Sequence, residues 1–460
     1  MITKFSSALL LITLMVGCID SKKNGTHSKI RQTVDSIQLV DTHEHLIPEK
    51  MRLSTTTDFF HLFKDYIRND LLSSGMGKDI EQYILNAENP LDSRWTKFAP
   101  YWQKTRNTTY ARNIMLAAKD LFEVEDINEN TYRLLNQKML ESNKPGWYNY
   151  VLKEKAGIEV ALLDPLAYGY PQDSTIQIQK EFFVRVKRFS DFISIDKDRI
   201  RKIEQNTNSV LNELDDLLNV LDIEIEKVAK NHEIVALKSG HAYSRAIRYE
   251  DVTHAEAENV FNKMINSPQQ IEFRDETKLQ DFIMLHLMRK AEYYNLPFQI
   301  HTGILAGTSH QNNISNTNAI HLSNLFPKFP QLKFIIFHGS YPYMAELGVL
   351  AKTHPNVYID MSWMYVISPE ASRSALKEWL LTVPSNKIMA FGGDYGQTVE
   401  ATYAHAVMAR RIVTEVLIEM VDKEYLNEQD AIYLAKRILR ENALEIYNLE
   451  KKEGYYARGE

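Results

Sequence analysis

Residues 40–45 read Val-Asp-Thr-His43-Glu44-His45 and follow directly on an apolar run, 37–40. Side chains along a strand alternate between faces, so His43 and His45 share a face and Glu44 turns away from it. Two imidazoles on one face at a strand end can grip one divalent ion. Alone the pair says little, because histidines two apart also occur on ordinary surfaces. Its meaning depends on what stands at the ends of the other apolar runs.

Three of those runs end in the same kind of residue. The run 297–300 closes in His301-Thr302-Gly303, the run 334–337 in His338-Gly339, and the run 388–391 in Gly392-Gly393-Asp394. Singly, each has a plainer reading: a histidine hydrogen-bonded in a core, or an aspartate capping the next helix. Two or three imidazoles with a carboxylate, however, suit zinc or a similar borderline divalent ion. Such an ion lowers the pKa of a bound water from about 15.7 to near 7. A carboxylate beside it can then take the water's proton. Asp394 is the candidate for that role and for ligation. His338 could ligate, or polarise a substrate carbonyl.

The run 234–237 closes in Lys238-Ser239-Gly240. Lys238 could bind a substrate carboxylate as a point charge, stand in an ordinary salt bridge at the mouth, or, once carboxylated, bridge two metals. Arg245, a few residues on, is either a carboxylate clamp or a helix-surface residue.

The elements that must position these residues follow from the pattern. Apolar runs at 37–40, 158–163, 182–186, 234–237, 297–300, 334–337, 357–361 and 388–391 lack strict alternation, as strands covered on both faces do. Helical stretches lie between most of them, for example 278–294. Eight strands alternating with helices predict a (β/α)8 TIM barrel, whose strand ends meet at one mouth. About a hundred residues separate the first two strands. This insertion, roughly 47–150, reads as helical and aromatic, with Trp95, Tyr101, Trp102, Tyr110 and Trp147, and is expected to cover the mouth as a lid. A second long helical stretch occupies about 188–232.

The chain has 460 residues, 44% hydrophobic and 25% charged, with a net charge of −6. That is globular composition without the basic patch a nucleic-acid partner would call for. Residues 1–18 resemble a bacterial lipoprotein signal: a short basic start, an apolar run too short to span a bilayer, and Leu14-Met15-Val16-Gly17-Cys18. The resemblance implies lipidation at Cys18, the one cysteine of the chain, and a tether over 19–34 leading to a barrel over 35–450. It also implies the bacterial cell envelope, with Ile19-Asp20 favouring the outer membrane.

Further stretches carry a second resemblance. Val40–His45, Leu237-Lys-Ser239, Pro297-Phe-Gln-Ile-His-Thr-Gly303, Phe337-His-Gly-Ser-Tyr-Pro-Tyr343, Asn356-Val-Tyr-Ile-Asp-Met361 and Asn442-Ala-Leu-Glu-Ile-Tyr447 are together similar to the amidohydrolase superfamily. The branch they resemble includes the N-terminal domain of amidohydrolase–glutamine synthetase fusion proteins. The resemblance implies a divalent-metal site at His43, His45, His301 and Asp394, with His338 as the strand-six histidine; the expectation is one ion sooner than two, and the count stays open. Glycine stands at position 393, where many relatives have serine. The region around Trp95, Tyr101, Arg106 and Tyr110 also resembles uronate isomerases.

The leading expectation is therefore a metal-dependent hydrolase attacking an amide, lactone or related carbonyl bond of a small anionic substrate, with Lys238 and Arg245 as substrate contacts. The alternatives are an isomerase or lyase acting on a sugar acid in the same barrel, and a non-catalytic ligand-binding lipoprotein. The oligomeric state is not legible.

Overall fold

The structure, a computed structural model, describes residues 23–165, 179–307 and 313–451. Cys18 and the signal-like segment lie outside the described residues. Among those described, no helix is long and apolar enough to cross a membrane.

Eight strands run in chain order around one sheet: β1 Leu39–Glu44, β2 Ile158–Leu163, β3 Phe183–Arg188, β4 Ile234–Ser239, β5 Phe298–Ile300, β6 Phe334–Ile336, β7 Val357–Asp360 and β8 Ile388–Met389. Every neighbouring pair is parallel. The sheet closes on itself through backbone bonds from Thr42 N–H to Phe391 C=O (3.1 Å), Asp394 N–H to His43 C=O (2.8 Å) and His45 N–H to Tyr395 C=O (3.0 Å). The result is the expected (β/α)8 barrel. Val40, Val160, Leu162, Val184, Val186, Ile335, Phe337 and Met389 fill the interior, and Leu444, Ile446 and Tyr447 pack against them from the C-terminal segment. The opposite strand faces join the larger core shared with the helices.

The run at 37–40 marks the first strand but not its bounds. The strand begins at Leu39 and continues through Asp41, Thr42, His43 and Glu44, all buried. Val40 and His43 both face the barrel interior, which strict alternation over three residues would forbid. The β1–β2 register slips between Asp41 and Glu44, and this irregularity turns the histidine pair inward.

The insertion is helical, as expected. Its main helices are Ile67–Ser73, Lys78–Leu85, Leu91–Thr105, Thr109–Phe122 and Tyr132–Ser142. It rests on the long helix that follows β8, Val399–Asp422. Arg52 of the insertion forks onto Glu400 at 2.6 and 3.1 Å, and Trp147 Nε1–H donates to the same carboxylate at 2.8 Å. Asn113 Nδ2–H donates to the Ala401 carbonyl at 3.1 Å.

The stretch read as a tether needs correction. Residues 23–36 are helical, with Ile30 and Val34 fully buried, and Arg410 donates to the Val34 and Ile37 carbonyls. Apolar residues four apart give this otherwise polar helix a face to bury.

Candidate metal centre and active site

His43, His45 and Asp394 meet at the mouth. Their donor atoms lie within 4.8 Å of one another. Asp394 Oδ1 is 3.1 Å from His43 Nε2 and 3.3 Å from His45 Nε2. His45 Nδ1 lies 2.6 Å from the Asp164 carbonyl, which can only accept, so Nδ1 carries the proton of the neutral ring. Its Nε2 lone pair is left facing Asp394. A lone pair facing a carboxylate is at rest only with a cation between them, so the donor set fits a divalent ion.

Electrostatics agree with that reading. Burial, with Lys238 next, holds His43 well below the usual imidazole range, and a ligating histidine must be neutral. Burial alone would raise the Asp394 carboxyl, but His43, His45 and His338 beside it hold it well below the usual carboxylate range. Asp394 has a left-handed backbone (φ +64°), as do His338 (φ +60°) and Trp363 (φ +66°), each just past a strand. Such conformations strain a residue with a side chain and persist where packing over-determines them.

His301 and His338 stand beside this set. His338 Nδ1 is 3.0 Å from the Ser362 carbonyl and 3.7 Å from Asp394 Oδ2. Its Nε2 lies 3.0 Å from His301 Nδ1. The other nitrogen of His301 faces the Ile304 carbonyl at 3.0 Å. His301, expected among the ligands, thus lies against His338, beside the converging trio rather than within it.

Lys238 is buried at the end of β4, its Nζ 3.2 Å above the Phe337 ring centre. Burial first, and Arg188 second, bring its ammonium down to about 7. Among the described residues Nζ has no hydrogen-bond partner. Arg245 does not reach the site, contrary to the expectation that it contacts substrate. After β4 the chain turns through His241–Tyr243, and Arg245 is buried against Asp281 at 2.7 Å. It also donates to the Ala246, Thr277 and Arg248 carbonyls and to Gln280 Oε1. Its donors are consumed by the fold.

Several residues of the site were not anticipated. Asp164, just past β2, and Arg188, the last residue of β3, form a bidentate pair, Nε lying 2.8 and 3.0 Å from the two carboxylate oxygens. Both would have been found by reading every strand end as β1 was read. Asp41 Oδ1 accepts the backbone N–H groups of His43 and Gly393, both at 3.1 Å. Glu44, facing away from the histidines, accepts from Tyr395 N–H and Thr402 Oγ1–H, both at 2.9 Å. From the insertion, Tyr66 O–H donates to the Asp394 carbonyl at 2.5 Å and its ring stacks on Trp363, centres 4.4 Å apart. Tyr110 stacks on Tyr66 in turn, and Tyr243 lies against His301. Aromatic rings thus wall the mouth.

Comparison with known proteins agrees with this architecture. The amidohydrolase family model matches residues 266–449. Protein fluG of Emericella nidulans is 29% identical over 184 residues, 39% of this chain and 21% of that protein, so the chain spans about a fifth of that relative's length. Among solved structures, a uronate isomerase from Thermotoga maritima superposes with a TM-score of 0.74 at 16% identity, covering 92% of this chain and 97% of that one. A putative metal-dependent hydrolase from Lactobacillus casei gives 0.65 at 17% identity, covering 92% and 98%. The family match begins before β5 and runs past β8, so the stretch of this chain that is similar to the amidohydrolase family takes in His301, His338 and Asp394.

Proposed function

We propose that the protein is a metal-dependent hydrolase acting on an amide, lactone or related carbonyl bond of a small anionic substrate. The observation that carries this is the convergence of His43, His45 and Asp394, with His45 oriented by the Asp164 carbonyl. These three residues would hold the ion, zinc by the chemistry of the donors. When bound, such an ion supplies a Lewis acid and an activated water. Asp394, which its imidazole neighbours hold well below the usual carboxylate range, would accept a proton on Oδ2, the oxygen turned towards His338 rather than towards His43 and His45. His338, held by Ser362 and His301, lies 3.7 Å from that oxygen. Tyr66, Tyr110 and Trp363 exclude bulk water from the mouth.

Metal analysis of the full chain purified without chelators tests the proposal, together with His43→Ala and Asp394→Asn and a panel of N-acyl amino acids and lactones. One equivalent of metal is expected in the wild type and a large loss in both variants, with hydrolysis falling by two orders of magnitude or more. A metal-free wild type that hydrolyses nothing in the panel would sink it.

Isomerisation of a sugar acid is the second reading. What favours it is the shared fold with a uronate isomerase over nearly the whole of both chains, the helical insertion included. Uronates scored for aldose–ketose interconversion separate the two reactions. Lipid attachment at Cys18 rests on the sequence alone, and labelling with a radioactive fatty acid, lost in Cys18→Ser, is its test.

A further inference from the structure

The charges around the metal-site cluster are unevenly spent. Arg188 commits Nε and Nη2 to the Asp164 carboxylate. Its third arm, Nη1, makes no hydrogen bond among the described residues and lies beside Gly240 at the mouth end of β4, where an added Cβ would collide with it. The Arg188 side chain keeps 11% of its surface exposed, while Asp164 beneath it is buried. Lys238, two residues before Gly240, presents a fully buried ammonium whose hydrogen-bond donors are unused. Strand alternation puts Arg188, Lys238 and Asp164 on the barrel-interior side, in line with Val186, Ala236 and Leu162.

From this geometry we infer that Arg188 Nη1 and Lys238 Nζ form a carboxylate-binding subsite, and that Arg188, not Arg245, is the residue selecting substrates with a carboxylate near the reacting bond. The inference deepens the proposed function and rests on its placing of the active site at this mouth. The free guanidinium edge of Arg188 and the unused donors of Lys238 together suit the two oxygens of one carboxylate. The Asp164 fork fixes the guanidinium plane, so its free edge is preorganised and little side-chain entropy is lost on binding. Asp164 also ties this subsite to the metal ligands, because its backbone carbonyl orients His45. One residue therefore sets the distance between the anchor for the substrate's charge and the place where its carbonyl must lie. An unpaired buried ammonium is costly in the free protein, and an incoming carboxylate relieves that cost.

The probe is acetate, with acetamide as its neutral counterpart, titrated into the full chain as purified while methyl-13C line widths are followed and metal content is measured on the same samples. Acetate is expected to bind the wild type at least tenfold more tightly than acetamide. Arg188→Gln should remove that preference at unchanged metal content, and Lys238→Met should weaken it. Because Arg188→Gln strands Asp164 in the interior, the double variant Asp164→Asn with Arg188→Gln repeats the measurement with the pair neutralised. The inference is overturned if acetate binds Arg188→Gln or the double variant within twofold of wild type, or if acetamide binds wild type as well as acetate does. A metal-free wild type that still prefers acetate supports the subsite while removing the hydrolase reading. A metal-loaded wild type with no preference removes the subsite and leaves that reading standing.

Discussion

Gly393 stands between the last strand and Asp394 where no side chain fits. An added Cβ would collide with Glu44 Oε1 and come within 3.1 Å of Thr402 Cγ2. The Asp394 N–H that follows is bonded to the His43 carbonyl, so a shift at 393 is passed directly to the candidate metal-binding residues. Gly393→Ala is expected to destabilise the protein by about 1–3 kcal/mol, the range for overpacking, and to lower metal occupancy; urea unfolding and metal analysis on one preparation would check both. A different outcome is expected at Arg245. With its guanidinium committed to Asp281 and the surrounding carbonyls, Arg245→Ala should leave Asp281 buried and unpaired and lower stability by about 3–5 kcal/mol. Metal content and acetate binding of the fraction that folds should match wild type. A variant that is fully stable but inactive would return Arg245 to the active site. The contrast between Arg245 and Arg188 shows what spacing alone can tell. Arg245 drew attention because it follows β4 closely in sequence, yet the turn at His241–Tyr243 carries it away from the mouth. Arg188 escaped because the apolar run stops at Val186 and position 188 reads as the start of a helical stretch, although the strand continues to Arg188.

At the level of elements, the insertion is held by a buried polar cluster rather than by apolar packing alone. Arg52 and His61 come from the insertion and Glu400 from the helix Val399–Asp422, and all three are buried. Burial, with the Arg52 cation next, lowers His61 to about 3. The neutral ring is therefore kept in the fold while the unfolded chain takes up a proton below about 6.5. Between those values the unfolded state binds one more proton, so His61 makes the fold less stable as pH falls from about 6.5 towards 3. His61→Gln abolishes that term. Its destabilisation relative to wild type, from urea midpoints at neutral pH, should shrink by about 1.4 kcal/mol per pH unit on acidification below 6.5. A constant difference between pH 7.5 and 5 would show that His61 is not held neutral. The insertion's helical character was legible because its aromatics recur at helical spacing. What it grips was not, since Arg52 and Glu400 are 348 residues apart and neither is unusual in its local sequence. The tether was misjudged for a related reason: two buried residues, Ile30 and Val34, suffice to dock a helix whose other positions are polar.

For the molecule as a whole, the barrel was readable because parallel strands buried on both faces announce themselves as apolar runs, and all eight were found. Their mouth ends were harder, because there the strands turn polar precisely where they become functional, as Asp41 to Glu44 and Lys187-Arg188 do. The same closure that completes the barrel has a mechanical consequence. The first strand and the segment after the last are joined by backbone bonds between residues about 350 apart, such as Thr42 to Phe391, and chain entropy opposes so distant a contact. His43 and His45 lie on one side of that seam and Asp394 on the other. An ion held by all three is therefore a clasp on the hoop as well as a reagent. Chelation should speed amide hydrogen exchange at residues 39–45 and 390–396 while leaving β4 to β6 protected, and exchange followed by mass spectrometry would resolve the difference. The barrel would then owe its circular integrity in part to the ion its own closure assembles.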